Sequence, residues 1–87
     1  MKPGQRTRSL IQYLHPGREA LVDRGLSESS DFRELCEDYR RCFVALENLR
    51  QSGATAKSER ILEYEELLAQ LALEIEATLE ASMQSQD

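Results

Sequence analysis

Tryptophan is absent from this chain of 87 residues, and only five positions are aromatic, two Phe and three Tyr. Large rings dominate the burial of most small cores. A chain of this length buries only about 60–65% of its unfolded surface, so its core is thin and built from aliphatic residues. There is one histidine, His15, and there are two cysteines, Cys36 and Cys42. That set fits no zinc spacing pattern. The cysteines lie six apart in one strongly helical stretch, about 9 Å along the axis and on different sides of it, so they cannot bridge each other. Buried free thiols in a reducing compartment are the reading, with Cys36 on the flank of its helix more accessible than Cys42 in the middle of the apolar stripe.

Apolar runs are short and broken by charge, far below the roughly 20 residues of a membrane span. Met1-Lys2 leads into Pro-Gly-Gln-Arg rather than an apolar stretch, so no secretory leader is read. A cytoplasmic protein is expected, with no membrane. Glycine-rich phosphate loops, nucleophile motifs and metal-ligand sets are all missing. An enzyme is therefore not expected, and no cofactor, metal or small-molecule substrate is assigned. His15, beside Pro16-Gly17, has no Ser, Cys or Asp partner in a known arrangement and reads as a residue at a helix end.

What is present is charge, unevenly divided. The chain carries 11 basic and 16 acidic residues, a net −5. Residues 1–27 hold five basic and two acidic residues, +3; residues 28–87 hold six and fourteen, −8. A basic head precedes an acidic body.

The body shows helical periodicity. Phe32, Leu35, Tyr39, Cys42, Leu46 and Leu49 follow a 3,4,3,4,3 spacing, with Cys36 and Phe43 beside them. Asp31 with Glu34 fits a capping box at the start, and Gly53 suits a left-handed residue after the end. Ile61, Tyr64, Leu68, Leu71, Ile75 and Leu79 mark a second helix, which Thr55 or Ser58 caps. A short link between two such stripes predicts an antiparallel hairpin. With the turn at Gly53-Ala54, Leu46 meets Ile61, Phe43 meets Tyr64, Tyr39 meets Leu68, Leu35 meets Leu71 and Phe32 meets Ile75, apolar against apolar throughout.

The fold class read from this is all-α. An antiparallel two-helix hairpin, about 31–51 and 56–81, follows one or two short N-terminal helices, and two copies pairing would make a four-helix bundle. The 87 residues form one small domain. Residues 1–8 are a flexible basic arm, 9–27 a short-helix head, 28–81 the hairpin and 82–87 a frayed tail. In the head, Ser9 starts a turn of helix through Leu10, Ile11 and Leu14. Pro16 opens a second helix, Gly25 ends it as its C′ residue, and Leu26 folds back on Leu21.

The glutamates Glu59, Glu63, Glu65, Glu66, Glu74, Glu76 and Glu80 face mostly away from the seam. Without a histidine on a facing helix they read as a solvated surface, and they repel nucleic acid. Leu62, Ala69 and Leu73 fall on a second stripe, about 120° from the first. A two-helix hairpin cannot cover both. The cover is the chain's own head, a second copy or another protein.

The function expected is therefore a small non-enzymatic helical protein–protein interaction module, an adaptor, chaperone-like protein or inhibitor. It acts through Leu62, Ala69 and Leu73 on itself as a homodimer or on another protein. The alternative is a nucleic-acid-associated regulator that uses Lys2, Arg6 and Arg8 as a basic contact arm, a reading the acidic hairpin opposes.

Overall fold

The computed structural model describes residues 3–53 and 59–84, which are all-helical apart from the links between helices. The order is α1 (Pro3–Leu14), α2 (Glu19–Glu28), α3 (Ser30–Gln51) and α4 (Glu59–Gln84). The expected caps Thr55 and Ser58 lie outside the described residues.

Helix α1 starts at Pro3, where proline's missing N–H costs nothing because the first helical N–H groups have no partner anyway. Residues 3–8 are thus helical, not the flexible arm expected of 1–8. The stretch escaped the periodicity because its inward face carries a polar residue. Thr7 is fully buried, one turn before the fully buried Ile11. Its hydroxyl donates to Glu37 Oε1 on α3, which satisfies the polar group inside the contact.

His15-Pro16-Gly17-Arg18 then turns the chain. The Arg18 N–H donates to the His15 carbonyl at 3.2 Å, and Gly17 has φ +86°. Proline second and a left-handed glycine third suit a type II turn. Pro16 therefore belongs to the turn and does not open α2. The Glu19 carboxylate accepts from the Gly17 N–H at 3.2 Å and anchors the new helix.

Gly25 does not end α2. It lies inside the helix, where a Cβ would stand 2.7 Å from a Phe32 ring carbon. The missing side chain lets the Phe32 ring lie directly on the α2 backbone. Ser29 ends α2 and begins α3: its extended backbone (φ −123°, ψ 116°) breaks the helix, and its hydroxyl oxygen accepts from the Phe32 N–H at 3.1 Å. The cap is thus Ser29, two residues before the Asp31 that opens the expected Asp31–Glu34 box, and Asp31 instead sits in the first turn, where the helix dipole favours acid. After α3, Gly53 takes φ +89°, the left-handed position expected of it.

The longest contact joins α3 and α4. Cys42 Sγ approaches the Tyr64 carbonyl at 3.5 Å, and Arg50 reaches Glu65 at 2.7 Å. The main core gathers Ile11 of α1, Val22 and Leu26 of α2, Phe32, Cys36, Tyr39 and Cys42 of α3, and Leu71, Ile75 and Leu79 of α4. Helix α1 packs on α2 and α3, and α2 on both α3 and α4. Arg18, at the start of α2, pairs with Glu80 at 3.8 Å. The expected end at 81 falls short. Helix α4 continues to Gln84, with the Ser82 hydroxyl donating to the Thr78 carbonyl at 3.1 Å, so the first residues of the expected frayed tail are helical.

Candidate interaction surface

Helix α4 presents two apolar edges. Its core edge, Ile61, Leu71, Ile75 and Leu79, is buried. Its other edge is open. Leu62 is 53% exposed and Leu73 68% exposed, and Ala69 between them is exposed as well. The three lie within about 40° of one another around the axis and span about 16 Å along it. The packed head leaves them uncovered, so the first of the three covers weighed from the sequence does not operate.

The surroundings of this stripe are acidic. Glu66 and Glu76 each lie about 40° from its centre, on opposite sides, and Glu59 and Glu65 about 60°. Arg60, the single basic residue within α4, lies about 160° away on the far side. Glu65 is held by Arg50 and Glu80 by Arg18. Among the described residues, no ion pair engages Glu63, Glu66 or Glu76.

A further apolar feature was not read from the sequence. Leu67, 44% exposed, overhangs a cleft of about 350 Å³ between α3 and α4, floored by Cys42, Ala45, Tyr64 and Leu71. The paired charges of Asp38 and Arg41, 3.6 Å apart, stand at its rim. The signal was available: Leu67 precedes the seam residue Leu68 and so points about 100° off it. Tyr13, 82% exposed near the end of α1, is the most exposed large apolar residue of the described chain.

The basic residues at the N-terminus separate. Lys2 lies outside the described residues. Arg6 is exposed on α1. Arg8 Nε lies 3.1 Å from Asp23 Oδ1, a charge contact without the alignment of a hydrogen bond, and its charge is engaged within the head. A small cavity of about 130 Å³ beside it is lined by Thr7, Arg8, Leu26, Arg33 and Glu37.

Of the two thiols, Cys36 is closed off, and Cys42 is buried but lines the cleft between α3 and α4. Cys36 is completely buried, more so than Cys42 at 5% exposure, the reverse of the sequence expectation, because the head packs over the flank that Cys36 occupies. Burial, with the nearby Glu37 charge adding to it, pushes the Cys36 thiol up to about 12. Burial also raises Cys42, and burial followed by the neighbouring Cys42 raises Tyr39. A thiol held protonated at neutral pH is a packing group, not a nucleophile. Among the described residues, no group of three or more His, Cys, Asp or Glu side chains is arranged to hold a metal ion, and no helix is long and apolar enough to cross a membrane.

The chain matches no family model, no curated protein and no solved structure.

Proposed function

We propose that this protein is a non-enzymatic helical interaction module. In this reading α3 and α4 form an antiparallel hairpin, the α1–α2 head braces one side of it, and the exposed edge of α4 meets a partner protein. The Cys42–Tyr64 and Arg50–Glu65 contacts support the antiparallel sense, since later residues of α3 meet earlier residues of α4. The observation that carries the reading is the exposure of Leu62 and Leu73 with the head already in place. Large apolar residues left open along one helix face, rimmed by charge, are the usual mark of an interaction surface.

A photo-crosslinking residue placed at Leu73 tests the reading in the cell of origin. The expected result is a discrete covalent adduct with one protein, abolished when Leu62→Glu accompanies the crosslinker, while circular dichroism shows unchanged helix content. Absence of a discrete adduct, or an adduct that survives Leu62→Glu, would overturn it.

A further inference from the structure

We infer that the exposed face of α4 docks a cationic amphipathic helix of another protein. The inference rests on the interaction-module reading and adds the chemistry of the partner.

Leu62, Ala69 and Leu73 lie on one face of α4 over about three turns, with Glu66 set between Leu62 and Ala69, a length that one helix laid alongside would span. Charge selects among the helices that would fit. Glu66 stands within the length of the stripe on one side and Glu76 just past its Leu73 end on the other, and no basic residue of α4 lies nearer than Arg60 on the opposite face. Neither glutamate has an ion-pair partner among the described residues, so both charges are available to an incoming helix.

A second copy fits poorly. A two-fold contact sets the same patch against itself. Antiparallel about the middle of the stripe, it matches Leu62 with Leu73 of the other copy but sets Glu66 beside Glu66 on one border and Glu65 beside Glu65 on the other, with no cation of α4 between them. Like charges at adjoining helix positions are destabilising. Anionic lipid headgroups and nucleic-acid phosphates meet the same repulsion. A helix with apolar residues at 3–4 spacing and Lys or Arg beside them reverses the sign of every one of these contacts. It covers Leu62 and Leu73 and pairs with Glu66 and Glu76 at the rim, where opposite charge speeds encounter and fixes register.

The test uses the full chain and three synthetic helical peptides of about 18 residues. One has leucines on one face and lysines on the other; the second replaces lysine with glutamate; the third replaces leucine with serine. Binding is followed by fluorescence anisotropy at low and high salt. The leucine–lysine peptide is expected to bind, and each of the others to bind at least about tenfold more weakly. Leu62→Ser with Leu73→Ser should weaken the leucine–lysine peptide by about tenfold or more. Glu66→Gln with Glu76→Gln should weaken it several-fold and flatten its salt dependence. Leu67→Ser, on the cleft side of α4, should leave it unchanged. Circular dichroism and the melting temperature establish that each variant is folded.

Equal binding of the leucine–glutamate peptide would overturn the inference. So would equal losses for Leu67→Ser and the Leu62/Leu73 pair, or no loss for either. A wild-type dimer in solution that becomes monomeric with Leu62→Ser and Leu73→Ser would overturn it in favour of a second copy. The two readings also fail separately. A discrete cellular adduct at position 73 that the leucine–lysine peptide does not compete away would sink the cationic partner and leave the interaction module standing. Loss of both adduct and peptide binding would sink both.

Discussion

Helices α3 and α4 begin from the same pattern and end in different situations. Each carries one apolar stripe into the shared core. Helix α3 has five acidic and four basic residues, and several pair along its own length: Arg40 with Glu37, Arg41 with Asp38, and Arg50 with Glu47. The head lies over one flank of it, so Cys36 beside the stripe is buried. Helix α4 has seven glutamates and one arginine, and among the described residues no ion pair lies within it. Its apolar residues occur on two edges, and only one is covered. One helix is therefore nearly complete within the molecule, whereas the other carries surplus apolar surface and surplus charge side by side. Under the proposed function, stability and binding are divided between the two edges of a single helix.

The sharpest way to break that comparison uses two neighbouring positions on α4. Ile75→Asp places a carboxylate at a fully buried site and should cost about 4 kcal/mol or more, enough to abolish cooperative thermal unfolding. Gly25→Ala probes the brace on α3. Its methyl group meets the Phe32 ring, and a loss of about 1–3 kcal/mol is expected in urea titration, as for other overpacked sites.

The closed state of Cys36 has a pH signature. Its thiol ionises near 9.0 when free and at about 12 in the fold. The stability this proton contributes is fully present below pH 9 and is lost as pH rises toward 12, because the unfolded chain ionises first. Stability should fall by at most about 1.4 kcal/mol per pH unit in that window through this group, and Cys36→Ala should remove that share of the slope. Thr7→Val tests the head's hold on α3. It removes the donor to Glu37 and should lower stability by about 1 kcal/mol in a thermal melt. The smallest stability effect belongs to the open edge. Leu73→Asp, two residues before Ile75, should shift stability by no more than about 0.5 kcal/mol, and Leu62→Glu likewise. A large loss at either position would mean that this edge is structural after all.

The seam residues were legible because periodicity is a local property: apolar side chains at 3–4 spacing must share one face of a helix. Gly53 was legible for a similar reason, since a glycine just past a periodic stretch suits the left-handed position. The head was harder to read. Thr7 broke the apolar pattern of α1, and only its distant partner Glu37 makes a buried hydroxyl tolerable there. Gly25 looked like a helix stop because close approach of a ring from another helix leaves no mark in the local sequence. The relative burial of Cys36 and Cys42 was misread because it depends on which flank of α3 the head occupies.

The candidate surface divides in the same way. The sequence alone placed Leu62, Ala69 and Leu73 on one stripe and determined that α4 is acidic around it, since helix geometry maps residue number onto angle. Whether the head covers that stripe was a question of packing between segments about 50 residues apart, and only the tertiary structure decided it. Helices α1 and α2 spend their apolar faces on α3 and on the buried edge of α4, and Leu62 and Leu73 stay open to solvent.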